Sequence, residues 1–178
     1  GTFRGSTTIF FAKTNLPVYT VEINERYYGY SKMRLRKLDN VSIYNDNSIN
    51  FLRNISQDNN FNKSNIFFYL DAHGSGTNLP LQDEVDLIFS NFINSVIMVD
   101  DFEVPYKNYG YDTRLGKKIN LDLLDNLIKK HHLKTYFPFQ DSKEETGSKR
   151  GMVLLCKDED DEVCPILEKN LTIQEYKL

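Results

Sequence analysis

The chain has 178 residues, with 22 basic and 25 acidic side chains and a formal net charge of -3 at pH 7. With 40% hydrophobic and 26% charged residues, its composition is that of a folded globular protein and excludes a disordered chain. The length suits one domain over residues 1–178, no apolar run approaches the ~20 residues of a membrane helix, and the balanced charge gives no basic stripe for nucleic acid.

Short β-rich runs alternate with helical segments, which predicts an α/β fold with a doubly wound, mostly parallel, Rossmann-like sheet. The first third of the chain predicts a strand at 17–23, a helix at 25–38, a strand at 41–44 and a short helix capped by Ser48. The polar stretch that follows, at 56–65, predicts a surface loop.

Two continuous apolar runs, at 66–71 and 95–101, predict strands that are buried on both faces. Helices are predicted from about Gln82 and from a cap at Asn120, and a long aromatic loop is predicted at 102–118. Late strands, at 133–137 and 151–156, are expected to form an antiparallel end to the sheet.

The only cysteines of the chain are Cys156 and Cys164, which an acidic stretch separates. Two cysteines without CxxC spacing favour neither a disulfide framework nor a zinc site. We interpret them as free thiols and expect a cytoplasmic protein.

Acidic residues stand at the ends of four predicted strands. They are Glu22, Asp46, Asp71 and the pair Asp100-Asp101. Because open α/β sheets bind ligands at the carboxyl ends of their strands, this placement predicts a ligand site along that edge.

A glycine-containing segment begins the chain. It reads Gly1-Thr2-Phe3-Arg4-Gly5-Ser6-Thr7-Thr8. Such a turn lets the backbone approach a ligand, and the free amides of a following helix favour negative groups, although a plain tight turn explains it equally well. Glu22 follows at about the 20-residue spacing at which a nucleotide site places its ribose-binding carboxylate.

A second group joins Asp71 and His73, after one buried strand, with Asp100 and Asp101, after the next. Oxygen ligands of this kind suit Mg²⁺ or a similar cation, which would lower the pKa of a bound hydroxyl. His73 could then take its proton. The alternative is that Asp71 and Asp100 cap local structure and His73 is an exposed loop residue.

The segment from Gly1 to Thr8 resembles motif I of class I S-adenosylmethionine-dependent methyltransferases. The resemblance implies a cofactor site in which Glu22 binds both ribose hydroxyls and the adenine lies beside residues 46–48. The implied cofactor-binding residues are Gly1, Thr2, Phe3, Gly5, Thr7, Glu22, Asp46, Asn47, Ser48 and Asp71.

Residues 67–73, together with Asp100 and Asp101, resemble the metal-dependent O-methyltransferases that act on sugar hydroxyls, such as macrocin O-methyltransferase, and their cephalosporin hydroxylase-like relatives. This branch implies Mg²⁺ bound by Asp71, Asp100 and Asp101, with His73 and Asp71 as catalytic residues. Some members carry Asp at the position of His73, so its role is inferred from its place.

The expected activity is methyl transfer from S-adenosylmethionine to a hydroxyl of a small molecule, such as a sugar or glycosylated metabolite, with a divalent metal. Four side chains of the 102–118 loop are candidates for the acceptor pocket, and for the three tyrosines among them packing is an equally good explanation. They are Tyr106, Tyr109, Tyr111 and Arg114. A catalytically silent methyltransferase-like domain is the alternative, and a nucleotide-dependent oxidoreductase is disfavoured because Phe3 stands where a dinucleotide fold needs glycine.

In methyltransferases of this class an acidic strand end precedes motif I, and that strand is central in the sheet. We therefore expect the natural protein to extend upstream of Gly1, because a sheet that lost its middle strand would expose buried backbone. Whether the protein forms a homo-oligomer is left open.

Overall fold

The structure, a computed structural model, describes residues 1–72, 79–159, 164–169 and 172–176. They belong to two units, an N-terminal unit at Gly1–Ile55 and a C-terminal unit at Ser56–Leu178. That the whole chain is one domain stays a prediction. No helix in the described ranges has the length and apolar character needed to cross a membrane.

The N-terminal unit is built around a parallel strand pair joined by a helix. Its elements are α1 (Ser6–Ala12), β1 (Val18–Val21), α2 (Glu25–Leu35), β2 (Val41–Tyr44) and α3 (Ser48–Ile55). β1 and β2 pair in parallel from Val18 opposite Val41. Asn24 caps α2, since its Oδ1 accepts from the amides of Arg26 and Tyr27 at 3.0 and 3.3 Å.

The C-terminal unit has a five-stranded sheet with helices and a small hairpin. Its elements are α4 (Asn59–Asn62), β3 (Ile66–Leu70), α5 (Leu81–Asn91), β4 (Ser95–Asp100), β5 (Thr113–Arg114), β6 (Lys117–Lys118), α6 (Leu121–His131), β7 (Leu133–Pro138), β8 (Met152–Lys157), α7 (Cys164–Glu168) and β9 (Ile173–Tyr176). The strand order is β3-β4-β8-β7-β9.

Strand direction in this sheet agrees with the predicted antiparallel end. β3 and β4 are parallel, whereas β8 is antiparallel to both of its neighbours, β4 and β7. β7 therefore runs in the same direction as β4, and the ends of β3, β4 and β7 share one edge with the start of β8. β9 adds a further antiparallel pair on β7.

The largest buried apolar surface lies in the C-terminal unit. Ile97 and Val99 of β4 are fully buried, and so are Val153 and Leu155 of β8. This explains why 95–101 reads as a continuous apolar run. Burial of such side chains contributes about 1.5–3 kcal/mol each, so these strands hold the ends that follow them in place.

Three local predictions need correction. The oxygen that caps α3 belongs to Asn47, whose Oδ1 accepts from the amide of Asn50 at 2.8 Å, while Ser48 is the first helical residue. The 56–65 stretch contains α4, because Asp58 caps a single turn. The 102–118 loop contains the β5–β6 hairpin. The cap at Asn120 is confirmed.

Cys156 and Cys164 are buried free thiols, as predicted. Their Sγ atoms lie 2.9 Å apart. Both pack with the buried ring of Tyr136, so they contribute to the core between β7, β8 and α7.

We expect Gly151→Ala to destabilise the protein by about 3 kcal/mol, as overpacking does. A Cβ at Gly151 would lie 2.2 Å from the carbonyl oxygen of Phe102 and 2.6 Å from Cγ2 of Val104. Gly147→Ala is the matched control, because a Cβ there meets nothing within 4 Å. Thermal unfolding of the two variants is the measurement. Equal unfolding midpoints would contradict the close approach of the Phe102 carbonyl to Gly151.

A second prediction concerns acid stability. Asp86 of α5 accepts from Lys130 Nζ and His131 Nε2 of α6, both at 2.6 Å. The Lys130 hydrogen bond, and next that of His131, holds the pKa of Asp86 below its ordinary value. A carboxyl whose pKa is lowered by folding stabilises the fold above its unfolded pKa of about 4 and loses this contribution as the pH falls through the folded value.

Asp86→Asn should therefore lower the unfolding midpoint at pH 7, and its difference from the wild type should shrink as the pH falls below about 4. Asp125→Asn is the control, since it removes an exposed ion pair between Asp125 and Lys129, both on α6. A wild-type advantage that stays constant down to pH 3 would refute the role of Asp86.

Candidate functional site

The carboxylate of Glu22 is the centre of the site in the N-terminal unit. Glu22 directly follows β1 and is only 6% exposed. Its Oε2 accepts from the amide of Phe3 at 2.7 Å, and its Oε1 accepts from the amide of Asn24 at 2.9 Å. Among the described residues, no lysine or arginine forms an ion pair with it. Because each carboxylate oxygen can accept two hydrogen bonds, Glu22 can accept two more.

The segment before α1 wraps around the end of β1. The amide of Thr2 donates to the carbonyl of Val21 at 3.0 Å, and the amide of Gly5 donates to the carbonyl of Thr2 at 2.8 Å. Gly5 has a φ of +76°, which glycine adopts without steric cost. A Cβ at Gly1 would lie 3.4 Å from Oε2 of Glu22. The backbone of Gly1 therefore lies against the carboxylate.

Two side chains of α2 hold this segment, and the sequence did not identify either. The hydroxyl of Ser31, which is fully buried, donates to the carbonyl of Phe3. Arg34 donates to the carbonyl of Arg4 at 2.6 Å. Both contacts span about 30 positions of the chain, so no local pattern signals them.

The residues that follow β2 lie at the same edge of the two-stranded sheet. The amide of Glu22 donates to the carbonyl of Tyr44 at 2.9 Å, and Asn45 Nδ2 donates to the carbonyl of Glu22 at 2.8 Å. Asp46 and Asn47 come next, where Asp46 Oδ1 accepts from the amide of Asn47 at 2.8 Å.

The structure thus brings together most of the predicted cofactor-binding residues. The members in the N-terminal unit near the ends of β1 and β2 are Gly1, Thr2, Phe3, Gly5, Glu22, Asp46, Asn47 and Ser48. Thr7 is exposed in the first turn of α1, and Asp71 belongs to the C-terminal unit. Their cofactor roles stay predictions.

In the C-terminal unit, two strand ends carry carboxylates side by side. Leu70 pairs with Val99, so Asp71 and Asp100 follow at the same level of the sheet. Asp100 Oδ2 accepts from the hydroxyl of Tyr69, and its Oδ1 accepts from the amide of Asp101 at 3.0 Å. Burial, and next this hydrogen bond to Asp100, raises the pKa of Tyr69 well above its ordinary value.

Asp101 faces an arginine. Arg150 Nε donates to Asp101 Oδ1, and Arg150 Nη2 donates to Asp112 Oδ1. The other oxygen of Asp112 accepts from Arg114 at 2.7 Å. The residues that contact these carboxylates were not predicted, apart from Arg114, which was expected in a substrate pocket.

The predicted magnesium site at Asp71, Asp100 and Asp101 is therefore not supported. Within the described ranges, no group of three or more His, Cys, Asp or Glu side chains could hold a metal ion. The physical reason is that Arg150 pairs with Asp101, and its positive charge opposes a cation at the same carboxylate. His73, the predicted base, lies outside the described residues.

A cavity of about 320 Å³ lies where β7 ends and β8 begins. Its lining includes Tyr109, Gln140, Glu145 and Arg150. Tyr109 is 5% exposed, and its hydroxyl contacts the carbonyl of Gln140 at 3.2 Å and Oε1 of Glu145 at 3.0 Å. Burial, and next the Glu145 hydrogen bond, raises the pKa of Tyr109 to about 12.

The other predicted pocket residues lie elsewhere. Tyr106 is 95% exposed, and its ring is 6.4 Å from that of Tyr176. The ring of Tyr111 lies 5.1 Å from Lys118 Nζ, and Arg114 pairs with Asp112. Of these four predicted residues, only Tyr109 lines this cavity; the substrate role of each stays a prediction.

No family model matches this chain, and no curated protein matches it. Among solved structures, it is similar to an rRNA methylase from Streptococcus thermophilus, with a TM-score of 0.52, 15% identity, and coverage of 88% of this chain and 82% of that one. It is also similar to a proposed methyltransferase from Streptococcus mutans in complex with SAH, with a TM-score of 0.51, 16% identity, and coverage of 87% and 84%.

A third similar structure is a precorrin-6y C5,15-methyltransferase from Geobacter metallireducens GS-15. Its TM-score is 0.52 and its identity 13%, over 87% of this chain and 76% of that one. At these identities the likeness shows the fold, and the predicted α/β, Rossmann-like methyltransferase fold is confirmed.

We expect Ser31→Ala to destabilise the protein by about 1–2 kcal/mol, because the carbonyl of Phe3 would lose its buried donor. The loss should also speed amide hydrogen exchange in residues 1–5. Ser42→Ala is the control, since Ser42 is exposed on β2. Unchanged exchange in residues 1–5 of Ser31→Ala would show that Ser31 does not hold the segment.

Proposed function

We propose that this protein is an S-adenosylmethionine-dependent methyltransferase whose acceptor is a hydroxyl of a small molecule. The single observation that carries the proposal is the buried carboxylate of Glu22, which two backbone amides hold at the end of β1. Such a carboxylate keeps acceptor capacity for the two hydroxyls of a ribose.

The residues of the N-terminal unit fit the adenosine part of this cofactor. Glu22 would accept from the ribose hydroxyls, and the backbone at Gly1 can approach closely because it carries no Cβ next to that carboxylate. Asp46 and Asn47 would lie beside the adenine. The cofactor supplies an electrophilic methyl group on a sulfonium. The similarity to a structure in complex with SAH and to two other methyltransferases supports this choice.

The cavity next to Tyr109 supports a small acceptor. Its volume of about 320 Å³ falls at the lower end of small-molecule sites, which range over roughly 300–1,000 Å³. One similar structure is an rRNA methylase. We disfavour an rRNA acceptor for this chain, because a net charge of -3 does not attract a phosphate backbone.

We propose Asp71 and His73 as the groups that take the proton of the acceptor hydroxyl, as the resemblance implies. Asp71 follows β3 at the edge where Asp100 follows β4. Since the described carboxylates do not form a metal site, no step in this proposal passes through a metal ion.

The test is calorimetric titration with S-adenosylmethionine and SAH. We expect Glu22→Gln to weaken binding roughly 10- to 100-fold, because a hydrogen bond to a charged acceptor contributes about 1.5–3 kcal/mol. Glu25→Gln is the matched control, since Glu25 is an exposed acid at the start of α2. Unfolding midpoints of both variants, measured in parallel, separate lost binding from lost folding.

Turnover with labelled S-adenosylmethionine is then measured on sugars, phenols, total rRNA and tetrapyrroles. Methylation of a small hydroxylated molecule supports the proposal, and methylation of rRNA alone overturns the acceptor class. Binding without turnover on any acceptor indicates a catalytically silent domain. Equal affinity of Glu22→Gln and wild type, or binding of NAD instead, would overturn the cofactor assignment.

A further inference from the structure

We propose that the guanidinium of Arg150 takes the place of a divalent cation at the acidic edge of the C-terminal sheet, so that this edge works without a metal ion. The catalytic part of this inference rests on the proposed function. The contacts that support it, and the experiment that tests it, involve neither the cofactor nor the acceptor. We call Asp101, Asp112 and Arg150 the arginine bridge.

Two carboxylates converge on one guanidinium in the arginine bridge. Arg150 Nε and Nη2 donate to Asp101 Oδ1 and Asp112 Oδ1, respectively. The amide of Asp112 donates to the carbonyl of Asp101 at 2.8 Å, which fixes the two aspartates side by side. The side chain of Arg150 is 33% exposed, that of Asp101 is 23% exposed and that of Asp112 is 20% exposed. Like charges so close need a counter-charge, and the planar fork of arginine matches two oxygen acceptors.

The backbone fixes Arg150 on both sides. The amide of Gly110 donates to the carbonyl of Lys149 at 2.9 Å, and the amide of Gly151 donates to the carbonyl of Gly110 at 2.8 Å. The amide of Phe102, next to Asp101, donates to the carbonyl of Gly151 at 2.9 Å. These main-chain bonds fix the backbone on both sides of Arg150 next to Asp101 and Phe102, so the side chain of Arg150 starts from a fixed position.

The chain also supplies donors to Asp100, the carboxylate next to Asp101. Asp100 accepts from Tyr69 and from the amide of Asp101. A metal ion bound by Asp71, Asp100 and Asp101 would have to displace Arg150 from Asp101 and remain beside its positive charge. An arginine side chain is not deprotonated in proteins, so Arg150 keeps its positive charge beside these carboxylates.

The arginine bridge also has a consequence for the acceptor. Arg150 lines the cavity beside Tyr109. A guanidinium has five N–H donors, and its hydrogen bonds to Asp101 and Asp112 use two nitrogens. Further donor capacity therefore remains on this guanidinium, which an oxygen of an acceptor in the cavity would use.

The experiment compares wild type, Arg150→Met and Arg150→Lys. Protein-bound Mn²⁺ is counted by electron paramagnetic resonance, and unfolding midpoints are measured in MgCl₂ and in EDTA. For the wild type we expect no bound Mn²⁺ and the same midpoint in both solutions. Arg150→Met should bind Mn²⁺ and gain about 3 °C in MgCl₂, because it leaves Asp101 without its cationic partner while Arg114 still pairs with Asp112. Arg150→Lys keeps the charge and should show no gain.

Arg36→Met is the control, since Arg36 is exposed on the other unit and donates to the carbonyl of Met33. Wild-type Mn²⁺ binding that Asp101→Asn abolishes would overturn the proposal. The proposal would also be overturned by an Arg150→Met variant that folds but neither binds Mn²⁺ nor gains stability in MgCl₂, since the bridge would then be purely structural. If Arg150→Met does not fold, the wild-type Mn²⁺ count decides between the two outcomes.

These measurements separate this inference from the proposed function. A failure to bind S-adenosylmethionine would overturn the function and leave the Mn²⁺ result standing. Bound Mn²⁺ in the wild type, with intact S-adenosylmethionine binding, would overturn the arginine bridge as a substitute for metal and leave the function standing.

Discussion

The C-terminal unit depends on a backbone crossing at Gly151. The carbonyl of Phe102 lies 2.2 Å from where a Cβ of residue 151 would stand, a distance that only glycine permits. The crossing joins the end of β4 to the start of β8 by the bond from the amide of Phe102 to the carbonyl of Gly151. The preceding residue, Arg150, is thereby held next to Asp101. A steric constraint on one residue thus determines the electrostatics of the next.

The two units stabilise their acidic strand ends by different means. Glu22 accepts from two backbone amides and has no cationic partner among the described residues. Asp101 and Asp112 accept from a full positive charge. Backbone amides leave the carboxylate with its negative charge and with lone pairs for hydroxyl donors, whereas a guanidinium neutralises it. The Glu22 site is therefore suited to bind a neutral diol, and the arginine bridge can donate a hydrogen bond to an oxygen.

The sequence could predict those features that are determined by residues close together along the chain. The strands β3 and β4 are specified by their own apolar residues, and the cap at Asn120 by residues within one turn. Glu22 was predicted because it ends an apolar strand and follows the glycine-containing segment at a recognisable spacing. These features are local, so hydrophobic period and capping chemistry predict them.

The parts that could not be predicted are contacts between distant segments. Arg150 lies 49 positions from Asp101 and 38 from Asp112, and nothing in the polar segment around it marks it as a partner. Without that arginine, the pair Asp100-Asp101 looks the same in sequence as a pair of metal ligands. The strand ends behind the magnesium prediction were placed correctly, but the sequence did not reveal that Arg150 pairs with Asp101.

The difference between a guanidinium and a metal ion bears on which hydroxyls this edge could activate. A metal ion binds the acceptor oxygen directly and can lower the pKa of a bound hydroxyl by many units, which allows an alcohol to react near neutral pH. A guanidinium exchanges no ligands and offers only hydrogen bonds and charge, so the acceptor must lose its proton to a base of ordinary strength. If Arg150 takes the place of the metal, phenolic or enolic hydroxyls suit this site better than the sugar alcohols that the sequence resemblance suggests. The choice of acceptor would then follow from the arginine bridge rather than from the aspartates.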